Sequence, residues 1–147
     1  MKIYSTTPFY QQEIFGIVRI IVACLMIFHG LETFNQEKMT MYTGWFVERK
    51  YNQPAAWAYA GKISELLIGI AFLFGFLTRL ASLGMILTFS SIIFLLGDRG
   101  NVFEGDQHPF LFVLIGIIFI ANGPGAWSVD RVIEKRSKGP EVQVNSQ

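Results

Sequence analysis

Long apolar runs alternate with short polar interruptions along this chain. Four runs stand out: Ile14 to Phe34, Ala55 to Leu77, Leu80 to Leu96 and Pro109 to Ala121. A helix rises ~1.5 Å per residue, so about 20 residues cross the ~30 Å hydrocarbon core of a bilayer. The first two runs reach that length. The third and fourth draw on flanking residues or a locally thinned bilayer, which extends the fourth over 107–122. Pro109 suits a first helical turn, and Asn122-Gly-Pro-Gly125 cannot continue a helix. The pattern predicts an all-α, polytopic membrane protein, a four-transmembrane-helix bundle with spans at 14–34, 55–77, 80–96 and 107–122 in a single domain over 1–134. The polar stretch 135–147 predicts a disordered tail.

The connections refine this picture. Only Thr78-Arg79 separates the second and third runs, which predicts a tight antiparallel hairpin with Arg79 at the membrane surface. If that side is cytoplasmic, Lys2, Arg79, Arg131, Lys135, Arg136 and Lys138 lie inside, against Lys38, Arg49, Lys50 and Arg99 outside. The positive-inside rule then places both termini in the cytoplasm. The outer loop 35–54 mixes Met39, Met41, Tyr42, Trp45, Phe46 and Tyr51 with Glu48, Arg49 and Lys50. Aromatic rings beside charges suit the headgroup region, as an interfacial anchor or as a short helix forming a lid over the bundle mouth. After the last span, Ser128 or Asp130 can cap a short amphipathic helix running through Lys135 and Arg136.

Composition agrees with membrane burial: 52% of residues are hydrophobic and the mean hydropathy is +0.41. Twelve basic and eleven acidic residues leave a formal charge of +1, which implies no nucleic-acid partner. The apolar run after Glu13 exceeds a signal-peptide core and lacks an Ala-x-Ala-like cleavage site, so a retained anchor is expected. The lone cysteine, Cys24, excludes an intramolecular disulfide and a dithiol; in an apolar setting it serves packing rather than thiol chemistry.

Ionisable groups inside spans are costly, about 2.5–3.5 kcal/mol each at the membrane centre, so they normally face protein or water. Here their spacing is helical. Lys62, Glu65, Gly69, Phe72, Phe76 and Arg79 fall on one face of the second span. Arg19, Val22, Met26, His29 and Thr33 do so on the first, with Glu32 one turn beyond His29. The third offers Gly84, Thr88, Ser91, Leu95 and Asp98, and the fourth His108, Phe112, Ile115, Phe119 and Asn122. Rise per residue places His29, Glu32, Lys62, Glu65, Asp98 and His108 in the outer half, able to converge on one polar pocket beneath the outer loop.

Two readings of that pocket stand side by side. In one, Lys62–Glu65 and His29–Glu32 are buried pairs that fix helix register or hold a partner subunit, with Gly69 and Gly84 permitting close packing. In the other, the pocket binds a small amphipathic, quinone-like ligand, with Glu65 as proton acceptor and Lys62 or His29 as orienting donor. Glu65 and His29 are then the candidate catalytic residues. His29, Glu32, Glu65 and His108 also form a conceivable metal set, and His29 with His108 a haem-ligand pair. Two histidines in the whole chain, neither in a dense ligand motif, argue against both. Arg19 either snorkels to the inner headgroups or pairs with Glu13 or Asp130.

Three motifs point further. They are Arg19 leading to Phe28-His-Gly-Leu-Glu-Thr-Phe34, Glu65-Leu-Leu-Ile-Gly69 followed by Gly75-Phe-Leu-Thr-Arg79, and Gly123-Pro-Gly-Ala-Trp-Ser-Val-Asp130. With these the chain resembles the DoxX family (DoxX/DoxD-like) of bacterial four-helix membrane proteins. The resemblance implies a bacterial inner (plasma) membrane location and an association with redox processes. Relatives include a subunit with quinone as acceptor and members placed in membrane oxidoreductase complexes, which implies partner subunits; Arg19, Arg79, Trp127 and Asp130 are expected as structural or interface positions. A homo-oligomer is compatible with the resemblance. The missing second cysteine departs from thiol-handling relatives and argues against direct thiol chemistry.

Overall fold

The computed structural model describes residues 9–97, 103 and 105–138. Lys2, Asp98, Arg99 and residues 139–147 lie outside that range, so the expected place of Asp98 in the pocket and most of the polar tail do too.

Every regular element among the described residues is helical. Helix α1 (Gln11–Leu31) ends in a 3-10 turn (Glu32–Phe34). Asn35 then starts α2 (Gln36–Glu48), its side-chain oxygen accepting the Lys38 N–H at 3.1 Å. Pro54 occupies the first turn of α3 (Pro54–Phe74), where its missing N–H costs nothing. Helix α4 (Thr78–Ser91) continues into a π-helical turn (Ile92–Leu96). Helix α5 (Gln107–Asn122) and the short α6 (Val129–Ser137), capped by Ser128, complete the order.

Gln11–Phe34, Pro54–Phe74 and Thr78–Leu96 are long and apolar enough to cross a membrane. At 16 residues, α5 is apolar but reaches only about 24 Å. The expected outer loop is largely the helix α2. The amphipathic helix expected through Lys135 and Arg136 is α6, which runs to Ser137 and so takes in the first residues of the expected tail.

In a bilayer, lipid tails are as apolar as leucine, so exposed Ile17, Ile21, Leu25, Leu67, Ile70 and Leu87 cost nothing, and helices associate through close packing. Glycines make that approach. A Cβ on Gly30 would stand 2.5 Å from Leu66 Cα, and one on Gly69 would stand 2.8 Å from the Ile27 nitrogen. Helices α1 and α3 therefore touch backbone to backbone twice. Gly116 of α5 lies against Ile86 and the Ser82 carbonyl of α4 in the same way. Gly84, expected to serve here, meets only the end of Ile68 at 3.4 Å.

The core joins these helices. Met26, Phe72, Met85 and Phe119 are fully buried, and Phe89 stacks on Phe112 with ring centres 4.5 Å apart. On α4 the buried stripe is Thr78, Ser82, Met85 and Phe89, continued by Ile93. Of the stripe expected there, Thr88, Ser91 and Leu95 face a cleft beside α3, while Gly84 meets the end of Ile68. Helical spacing alone fits both stripes, and small polar residues marked the wrong one. Phe76 also leaves its expected face: α3 ends at Phe74, Gly75 turns left-handed at φ 62°, and Phe76 points out.

Candidate functional site

Two polar assemblies occupy opposite ends of the bundle. At the α2 end, the 3-10 turn after α1 swings Glu32 towards α3, one turn of which presents Lys62 and Glu65 on the same face. Lys62 Nζ lies 2.9 Å from Glu65 Oε2 and 3.1 Å from Glu32 Oε2, and 4.5 Å above the Tyr42 ring. The Tyr42 hydroxyl donates to Glu32 Oε2 at 2.5 Å. Burial and this bond to a carboxylate push the Tyr42 phenol well above its usual range. Lys38 approaches Glu32 from the rim at 3.9 Å, so two ammoniums answer two carboxylates.

The histidines stand beside this network. His29 Nδ1 is 3.9 Å from Glu32 Oε2, and the His29 and His108 rings are 5.4 Å apart, with His108 edge-on to Phe112. Side-chain exposure falls from 34% at His29 through 17% at Glu32 and 13% at Lys62 to 5% at Glu65. The titratable groups thus form a chain from the protein surface to a buried carboxylate, an arrangement able to pass protons inward. Among the described residues, no group of three His, Cys, Asp or Glu side chains is placed to hold a metal.

Sequence spacing brings His29, Glu32, Lys62, Glu65 and His108 to one end, and the structure brings them together. Sequence spacing did not single out Tyr42 as their partner. That residue appeared only as one aromatic of an interfacial segment, and no periodicity links it to Glu32.

Beside Lys62 and Glu65 a cleft opens between α3 and α4 under α2. Its inner part, about 90 Å³, is walled by Tyr42, Trp45, Trp57, Lys62 and Glu65. Its outer part, about 180 Å³, is walled by Ala60, Ser64, Thr88, Ser91 and Leu95. Phe46, Gly61, Ile92 and Leu96 border both, as Trp57 does. The π-helical turn contributes Ile92, Leu95 and Leu96 to this wall, and such turns recur at functional positions in helices.

At the α6 end the structure corrects the expectation for Arg19. The side chain neither snorkels nor contacts a carboxylate; it is fully buried. Its Nε donates to the Pro124 carbonyl at 2.9 Å, and Nη2 donates to those of Ala126 at 3.3 Å and Trp127 at 2.8 Å. Nη1 donates to the carbonyls of Phe72 and, at 3.0 Å, Leu73. These last belong to the final turn of α3, where the helix dipole presents its negative end; the Phe72 carbonyl also accepts the Gly75 N–H at 3.0 Å. Asp130 instead accepts the N–H groups of Leu77 at 2.7 Å and Thr78 at 2.8 Å, satisfying the start of α4. Arg19 and Asp130 so tie the segment after α5 to the α3–α4 turn. Trp127 contributes its carbonyl while its ring is exposed, and Arg79 is exposed at the same end.

A helical chain with three membrane-length apolar helices and a charged network held between them is an integral membrane protein. Residues 15–98, more than half of the chain, match the DoxX family model, and the chain belongs to the DoxX family. It is also similar to the uncharacterized membrane protein Rv3486 of Mycobacterium tuberculosis, at 29% identity over 140 residues covering 82% of this chain and 81% of the relative. No solved structure matches it significantly.

Proposed function

We propose that this small integral membrane protein binds a quinone-like amphipathic ligand in the cleft beside Lys62 and Glu65, as a redox-associated subunit. The observation that carries this reading is the juxtaposition of a buried carboxylate–ammonium pair with an aromatic-walled cavity under α2. Pockets of this make-up, mostly apolar with a few convergent polar groups, suit small ligands. Converting a quinone to a quinol takes up two protons and two electrons. Glu65, fed through Lys62, Glu32 and His29, exchanges the protons, and a partner oxidoreductase subunit exchanges the electrons. In this reading α5 is the fourth span, and both termini lie on the cytoplasmic side of a bacterial inner membrane.

A second reading rests on a different observation: Glu32, Lys62 and Tyr42 are already partnered within the chain. A network satisfied internally can serve only to fix helix register or to assemble with a partner. Native mass spectrometry with lipid extraction on gently purified protein separates the two. A quinone that co-purifies with wild type and is lost from Glu65→Gln and His29→Ala supports binding. Apo wild-type protein, with variants that dissociate or unfold, favours assembly.

A further inference from the structure

We propose that the cleft takes its ligand sideways from the bilayer. The polar head rests against Lys62 and Glu65, and a single apolar tail leaves between α3 and α4 into the lipid. This inference rests on the binding reading above and deepens it by naming the ligand class: a head-and-tail molecule dissolved in the membrane, as opposed to a water-soluble one.

Size is the first argument. Small molecules enclosed by protein occupy pockets of about 300–1,000 Å³. The inner part of the cleft holds about 90 Å³ and the outer about 180 Å³, so the site accommodates a head and the first segment of a tail, while the remainder must lie elsewhere. Access is the second. Helix α2 covers the cleft on the aqueous side, with Met39 and Phe46 buried against Ala58. The outer part opens between two apolar helices, where Trp57, Ala60 and Ser91 are exposed, on a surface that the membrane reading turns to lipid.

The lining is the third argument. Three hydroxyls face the outer part, and each already has a partner. Ser64 donates to the Gly61 carbonyl at 2.6 Å and lies 3.2 Å from the Thr88 hydroxyl, while Ser91 donates to the Leu87 carbonyl at 2.7 Å. This wall therefore offers hydrocarbon and satisfied oxygens, which suit a tail. The charged donor and acceptor lie only at the inner end.

Gly61 borders both parts, and a Cβ there meets nothing within 4 Å. A larger side chain at this position fills the passage without displacing the backbone. Gly44 on α2 is equally open and lines neither part, which makes it the matched control. The experiment measures tryptophan quenching in nanodiscs by decylubiquinone and by its tailless parent, 2,3-dimethoxy-5-methyl-1,4-benzoquinone. Wild type is expected to bind the decyl form about tenfold or more tightly than the parent, since each buried methylene adds to affinity. Gly61→Leu is expected to abolish that preference, and Gly44→Leu to keep it. Thr88→Leu, which fills the outer part alone, should likewise weaken the decyl form and spare the parent. Equal affinity for both quinones, or a preference untouched by Gly61→Leu and Thr88→Leu, overturns the lateral-entry proposal and leaves quinone binding intact. Failure of both quinones to bind wild type overturns the binding reading, and this inference with it.

Discussion

Glu32 and Glu65, carried by different helices, hold the same ammonium: Lys62 Nζ is 3.1 Å from one and 2.9 Å from the other. Removing one member of a buried ion pair leaves its partner uncompensated, at a cost of about 3–5 kcal/mol, whereas replacing both members with apolar residues is often close to neutral. Lys62→Met should therefore destabilise the bundle by about 3 kcal/mol or more, and Lys62→Met with Glu65→Leu should recover most of that loss. Unfolding midpoints in a mixed-detergent titration check both. A double variant no more stable than the single would show that Glu65 is not held by Lys62 alone.

At the opposite end, Arg19 spreads its N–H groups over five carbonyl oxygens. Lysine offers a point charge with three donors and lacks the planar fork, so Arg19→Lys leaves buried carbonyls unsatisfied. Charge-assisted hydrogen bonds contribute about 1.5–3 kcal/mol each, which sets the expected loss at roughly 3 kcal/mol or more. The segment after α5 keeps the Asp130 contacts but loses the Arg19 half of its tether, so proteolytic cleavage between Asn122 and Asp130 should accelerate in Arg19→Lys. Cleavage rates equal to wild type would sink this account.

Much of this was legible in the sequence, and the misses have physical causes. Run length gave the long helices, and helical spacing brought Lys62 and Glu65 together with His29 and Glu32, because intrahelical geometry is local. The Arg19 partners were not legible, since backbone carbonyls carry no residue signature and three of them lie in an irregular segment after α5. Tyr42 was missed for a related reason: its reach to Glu32 depends on how α2 folds back over the bundle. On α4, two stripes satisfied the same period, and only packing against α5 decided between them.

Tyr42 makes a pH prediction with a definite sign. Its phenol is raised above the ordinary tyrosine value by burial first and by donation to Glu32 second. A raised folded-state value means that its stabilising contribution is complete below the unfolded value of ~10 and is lost as pH climbs through the higher folded value. In an absorbance titration of phenolate, the difference between wild type and Tyr42→Phe should therefore stay near zero through pH ~10 and grow only above it. About half a tyrosine's worth of phenolate in that difference at pH ~10, as an ordinary phenol would give, would contradict the Tyr42–Glu32 bond.

The α1–α3 seam yields the steric test. Helices in lipid gain little from hydrophobic burial, so their association depends on how closely their backbones approach. At Gly69 an added Cβ would lie 2.8 Å from the Ile27 nitrogen and 3.0 Å from Met26 Cβ, and the first of these is backbone that cannot swing aside. Gly69→Ala must push α1 and α3 apart, with an overpacking cost of about 1–3 kcal/mol. Gly61→Ala on the same helix meets nothing within 4 Å and gains helix propensity, so it should be neutral or slightly stabilising. The pair separates close packing from any general intolerance of substitution in α3. Measured side by side in detergent, a Gly69→Ala midpoint no lower than that of Gly61→Ala would refute backbone contact between α1 and α3. A clear drop for Gly69→Ala alone, accompanied by weaker coupling of Glu32 to Lys62, would show that this contact also sets the geometry of the charged network.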